Sequence, residues 1–203
     1  MTLTTSDFIA LLTLMLWPAV PLFWVPVHCQ PRFFKRLGFI TYALPLVTWL
    51  PAVYLVYLYR LFLLEFTVPF PLVVNIAGAM SLILGIALQS WTLMLLKLPV
   101  IMGMPEVLSS VRSELITAGP FCVVRHPTYL SHTLMLLGVL LLTGVAAVGI
   151  AMLIDLLVVN LVIIPLEEKE LSTRFGTKYE QYRQKVPFQL VPRLHRRGDP
   201  SCT

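Results

Sequence analysis

Residues 128–166 read TYLSHTLMLLGVLLLTGVAAVGIAMLIDLLVVNLVIIPL, with Asp155 as the only formally charged side chain. The stretch divides into two apolar runs, about 128–145 and 148–166. Each is near the roughly 20 residues that a tilted helix needs to cross a hydrocarbon layer. The link Thr143-Gly144-Val145-Ala146-Ala147-Val148-Gly149 has room for a tight turn and nothing more, so the runs are predicted to form an antiparallel helical hairpin. Working outward, three more apolar runs stand at about 7–27, 38–59 and 70–96. The reading is an all-α polytopic membrane protein with five transmembrane helices. The first run lacks a basic leader and a small-residue cleavage site, so it is read as a retained span.

Composition supports lipid as part of the solvent. The chain of 203 residues is 58% hydrophobic and 12% charged, with mean hydropathy +0.84. A water-soluble domain carries roughly a quarter charged residues. Net charge +5 and a pI near 9.3 raise the question of nucleic acid. The basic residues are scattered between apolar runs rather than gathered on an aromatic-interleaved surface, so nucleic acid is not an expected partner and anionic headgroups explain the surplus. Cys29, Cys122 and Cys202 are odd in number and lack C-x-x-C spacing, which supports neither a disulfide framework nor a metal site. No G-x-G-x-x-G or P-loop pattern occurs, so a nucleoside cofactor has to be held without a Rossmann-type fold.

Of the 15 lysines and arginines, only Arg60 falls between the second and third runs; the others follow the first, third or fifth. Basic segments resist translocation, which predicts an N-terminus outside and a C-terminus in the cytosol, in a bacterial inner membrane or the endoplasmic reticulum. One membrane domain, 1–203, would then comprise three N-terminal spans (1–96), a cofactor-binding and catalytic half (97–194) and a frayed tail (195–203). After the fifth run, Leu171, Phe175, Tyr179, Tyr182 and Val186 recur at spacings of four, four, three and four, predicting an amphipathic cytosolic C-terminal helix.

The densest polar cluster is Arg125-His126-Pro127-Thr128-Tyr129, where the loop enters the fourth run. Proline suits the first helical turn, and the backbone N–H groups there favour an anion such as an amino-acid carboxylate. A plainer reading makes Arg125 a membrane anchor and His126 and Tyr129 interfacial residues. Helical spacing aligns Tyr129 with His132, and Asn160, Ile163 or Ile164 with Glu167. Facing one another, these would enclose a pocket in which His132, Asn160 and Ile163 are candidate substrate contacts. Glu167 or Glu168 could accept from ribose hydroxyls or an ammonium, or simply begin a solvated helix. Asp155 lies ten residues before Pro165, about 15 Å along a helix, and reads as a packing or neutral-acid residue. For Asn75, Gln89 and Ser90 the expected role is hydrogen bonding between helices.

The run Leu115-Ile116-Thr117-Ala118-Gly119-Pro120-Phe121-Cys122-Val123-Val124-Arg125-His126-Pro127-Thr128-Tyr129, the hairpin, Glu167-Glu168, Phe175-Gly176, Tyr179, Tyr182 and Val186-Pro187 together resemble the isoprenylcysteine carboxyl methyltransferase family of membrane enzymes. The likeness covers about 106–194. It implies S-adenosylmethionine as cofactor, with contacts at Glu106, Ser113, Glu114, Leu115, Ile116, Phe121, His126, Pro127, Thr128, Tyr129 and Glu167. It also implies a lipophilic acceptor, a prenylcysteine-like carboxylate or another lipid, admitted from the membrane. Arg125, Tyr129 and Glu167 are the expected catalytic residues. Ile163 stands where the prenylcysteine enzymes have a substrate-binding arginine, and Ser131 replaces a frequent glycine. The competing readings are an NADPH-dependent reductase of the sterol reductase type and a non-enzymatic transporter or assembly protein. A transporter would need paired polar groups near the bilayer midplane.

Overall fold

In the computed structural model, which describes residues 3–96, 100, 104 and 114–190, every regular element is helical, with one isolated bridge between Thr67 and Val145. The chain begins with α1 (Thr5–Leu16), α2 (Ala19–Cys29) and α3 (Pro31–Leu37), then a 3₁₀ segment (Gly38–Ala43), α4 (Leu44–Leu58) and α5 (Arg60–Glu65). It continues through α6 (Leu72–Leu95), a 3₁₀ turn (Gly119–Cys122), α7 (Pro127–Thr143) and α8 (Ala146–Val158). A π-helical turn (Val159–Ile163) leads into α9 (Ile164–Phe175), and α10 (Thr177–Lys185) comes next.

Among the described residues, four helical stretches are long and apolar enough to cross a membrane: Thr5–Cys29, Pro31–Leu58, Leu72–Leu95 and Ala146–Phe175. The fourth run of the sequence forms α7, apolar but shorter at 17 residues. The outward faces carry large apolar side chains, among them Val47, Tyr54, Val73, Ile83, Leu157 and Leu161. That distribution suits hydrocarbon and not water.

Two local departures from the sequence-based expectation matter for the site. The helix does not stop with the last apolar run near 166, because α8 runs through the π turn into α9 and carries it on to Phe175. The expected single amphipathic helix is broken at Gly176, whose φ of 54° is open to glycine and disfavoured for other residues. The apolar stripe survives the break. Tyr179, Tyr182 and Val186 of the second piece pack with Leu171 and Phe175 of the first, and with Leu115 of the loop.

Helix α7 is held from two sides. It folds back on α8 through Gly144-Val145, and it runs along α6 at very close range. A Cβ at Gly138 would stand 2.6 Å from the backbone nitrogen of Leu82, and one at Gly78 would stand 2.8 Å from the Cβ of Leu141. Small residues at such crossings let backbones meet where apolar surface gives no preference for protein over lipid. The crossing is pinned further by Ser81 Oγ donating to the Leu134 carbonyl at 2.8 Å and by Ser131 donating to Gln89. Gln89 thus plays its expected interhelical role. Gly138→Leu is expected to force the helices apart and cost about 1–3 kcal/mol, the usual toll of overpacking. A lowered melting temperature in detergent would register it.

Candidate active site

The basic end of α7 is a knot of side chains from three separate parts of the sequence. Pro127 opens the helix and His126 precedes it, with no side chain capping the first turn. The segment after α10 returns to this point: Arg125 N donates to the Phe188 carbonyl at 2.9 Å and His126 N to the Gln189 carbonyl at 3.0 Å. Tyr182 Oη donates to the Phe121 carbonyl at 2.8 Å, tying α10 to the loop that leads in.

Glu167 and Glu168 sit about 100° apart around α9, so they serve different partners. Glu168 Oε1 accepts from Arg125 Nε at 2.7 Å and lies 3.1 Å from His126 Nε2. Glu167 Oε2 accepts from Tyr129 Oη at 2.9 Å and lies 3.5 Å from His126 Nδ1. Arg125 also donates from Nη1 to the Val186 carbonyl at 2.7 Å. The plainer readings of Arg125 as a lipid anchor and of the glutamates as a solvated helix start therefore do not hold. Arg125 and His126 are both buried.

His126 has a carboxylate at each ring nitrogen. A neutral imidazole would set a lone pair against one of them, whereas the imidazolium donates to both. Burial opposes the charge, but the Glu167 and Glu168 carboxylates outweigh it and raise the group from 6.5 to about 9. Burial and the charge of Glu168 push the Tyr179 phenol up, and burial beside Tyr179 does the same for Tyr182, so both stay neutral. With two cations and two anions, the knot is close to charge-balanced.

Two adjoining cavities flank Glu167. The smaller, about 100 Å³, is lined by Glu114, Leu115, Ile116, Phe121 and Glu167 together with the aromatic stripe of the tail. The larger, about 240 Å³, is lined by Phe121, the Arg125–Tyr129 element, His132 and Glu167. Both share Phe121, Arg125 and Glu167. Most of the residues expected to hold the cofactor are thus brought around one centre. Glu106 and Ser113 lie outside the described residues.

Two expected substrate contacts are elsewhere. Asn160 is exposed on the outer face, its Nδ2 donating to the Leu156 carbonyl at 2.7 Å. Ile163 is packed in a core cluster with Tyr129 and Ile164, and lines neither cavity. Conversely, Trp24 and His28 of α2 line the larger cavity, although no motif in the sequence points to them. His28 Nε2 lies 3.3 Å from Glu170 Oε2, and Glu170 also pairs with Arg174. The one signal available was a histidine at the polar end of the first apolar run.

A methionine-derived zwitterion with a nucleoside fits this setting. The first turn of α7, which no side chain caps, suits a carboxylate, Glu167 suits an ammonium or a ribose diol, and Phe121 supplies a face for a base.

Among known proteins, residues 73–178 match the sequence model of a family described as phospholipid methyltransferase. A protein-S-isoprenylcysteine O-methyltransferase from Schizosaccharomyces pombe is 36% identical over 99 residues, covering 43% of this chain and 39% of the relative. The chain thus matches about two fifths of that relative's length. No solved structure matches.

Proposed function

The chain belongs to the phospholipid methyltransferase family, and from that premise we propose that it is an integral membrane enzyme transferring a methyl group from S-adenosylmethionine to a lipophilic acceptor. The acceptor would be a prenylcysteine-like carboxylate or another lipid. The observation that supports this best is the pair of cavities meeting at Glu167, lined by the residues that such a cofactor would need. When bound, the sulfonium supplies an already activated methyl group.

The protein's part is then placement and exclusion of water. Thr128 and Tyr129 would receive the cofactor carboxylate on the helix N-terminus. Glu167, held by Tyr129 and His126, would fix the ammonium or ribose end. Arg125 would act at one remove, holding Glu168 and the Val186 carbonyl so that the tail closes the cavity. We further propose that α7 also crosses the bilayer, giving five spans, and that the site faces the cytosol. Fourteen of the 15 lysines and arginines would then lie on that side.

S-adenosylhomocysteine should bind the purified protein in detergent by calorimetry, and NADPH should not. Glu167→Ala should abolish that binding while leaving the melting transition in place. Undiminished affinity in the variant, or binding of NADPH alone, would refute the proposal.

A further inference from the structure

One face of α7 is graded from polar to apolar. Tyr129 and His132 sit at the cofactor cavity, and Met135, Leu136 and Val139 continue the same face one to three turns deeper. Those deeper residues line a third cavity of about 290 Å³, bounded also by Leu82 and Ile86 of α6 and by Thr13, Leu16 and Trp17. Among the lining side chains, His132 and Val20 are common to this apolar cavity and to the larger cofactor cavity. His132 therefore stands at the doorway between a polar chamber and a hydrocarbon slot.

Behind the doorway is an acid that nothing in the cofactor site uses. Asp155 of α8 is 3% exposed. Its Oδ1 accepts from Trp17 Nε1 at 2.8 Å, while its Oδ2 is buried with no hydrogen-bond partner among the described residues. Trp17, which holds it, lines the same apolar cavity as His132. A carboxylate held inside a membrane helix bundle, fixed at one oxygen and unsatisfied at the other, is costly unless a cation forms nearby.

Resting on the methyltransferase reading above, we propose that His132 is the proton acceptor for a lipid whose nucleophile is protic, an amine or a hydroxyl, with its hydrocarbon chain in the slot between α1, α6 and α7, and that Asp155 is the positioning residue behind it. A carboxylate nucleophile needs no base, and an amine or hydroxyl does. In the step, a lone pair of the acceptor nitrogen or oxygen forms the new bond to the methyl carbon. The carbon–sulfur bond breaks, and its electron pair remains on the sulfur of the sulfonium methyl donor. The proton leaving the nucleophile goes to a ring nitrogen of His132. The imidazolium so formed is balanced by Asp155, which Trp17 keeps in place. The distance from His132 to Val139 along α7, about 10 Å, is the part of an acyl or prenyl chain that the slot would take.

The test uses the full chain in lipid nanodiscs, with two lipids of the same chain length, one ending in a primary amine and one in a carboxylate. Transfer of label from the methyl donor is measured beside calorimetric binding of S-adenosylhomocysteine. The amine lipid should be methylated. His132→Ala should slow that transfer at least about 100-fold, with S-adenosylhomocysteine affinity within threefold, and free imidazole should restore part of the rate. Leu136→Trp, which fills the slot, should raise KM for the lipid about tenfold with kcat little changed. Asp155→Asn should lower kcat about tenfold with KM unchanged. Transfer to the carboxylate lipid alone would overturn the proposal, as would a His132→Ala rate within threefold of wild type or a loss that imidazole does not relieve. If the wild type failed to bind S-adenosylhomocysteine, the methyltransferase reading would fall, and this one with it.

Discussion

Glu168→Ala is expected to be among the most destabilising single changes in the chain, at about 3–5 kcal/mol, and worse than Arg125→Ala. Arg125 and Glu168 are 5% and 13% exposed at their side chains, so the pair is withdrawn from water. Removing one partner of such a pair leaves a buried charge uncompensated. The two deletions are not symmetric. Without Arg125, Glu168 keeps His126 at 3.1 Å and can also take up a proton. Without Glu168, the guanidinium cannot discharge, because it does not lose its proton in proteins. It would keep the Val186 carbonyl, a neutral acceptor, in place of a charged one. Arg125→Lys should not rescue the wild-type stability, since Nε and Nη1 address two different acceptors at once and an ammonium on a flexible stem does not reproduce that fork. Melting temperatures of the three variants in one detergent, ranked against wild type, check the order. Equal losses in Glu168→Ala and Arg125→Ala would contradict the argument.

The parts of this protein that were legible from sequence are those whose signal is local. Apolar runs mark membrane helices because lipid rewards hydrophobicity on every side of the helix. The hairpin after Thr143 was forced by the shortness of its link. The Arg125–Tyr129 cluster and the Glu167-Glu168 pair stood out as dense polarity between apolar stretches. What joins them did not stand out, because the Arg125–Glu168 and Tyr129–Glu167 bonds connect residues 43 and 38 positions apart. His28 is more distant still, reaching the site from the first run to pair with Glu170.

The misplacement of Asn160 and Ile163 has a specific cause. Aligning Asn160, Ile163 and Glu167 on one face assumed an unbroken 3.6-residue repeat. The π turn at Val159–Ile163 takes in extra backbone per turn and rotates α8 relative to α9. Asn160 is therefore turned outward while Glu167 still points at Tyr129. Nothing in the sequence marks that turn. Gly176 is different, since a glycine inside a polar helical pattern is a legible warning of a break. The stripe from Leu171 to Val186 nevertheless kept its continuity, because the two pieces share one apolar cluster with Leu115.

The charge on His126 makes the closure of the site sensitive to alkali. Its folded-state value is raised from 6.5 to about 9, because the two carboxylates overcome the burial that opposes the charge. For a raised group, the folded form holds the proton more tightly than the unfolded one, so its stabilisation is fully present below about pH 6.5. It declines through the interval up to about pH 9 and is absent beyond it. At 1.36 kcal/mol for each pH unit of that interval, the loss is about 3 kcal/mol. Above it, a neutral ring leaves one nitrogen lone pair facing a carboxylate, and the contact between α7 and α9 turns from attractive to repulsive at that atom. The wild type should thus lose melting temperature steadily from about pH 7 to about pH 9.5, and S-adenosylhomocysteine affinity should fall with it. The informative quantity is the difference from His126→Asn. That variant should start lower at about pH 6.5 and show a flatter profile, so that the two curves converge above about pH 9. Parallel curves would mean that the imidazole is not charged between Glu167 and Glu168.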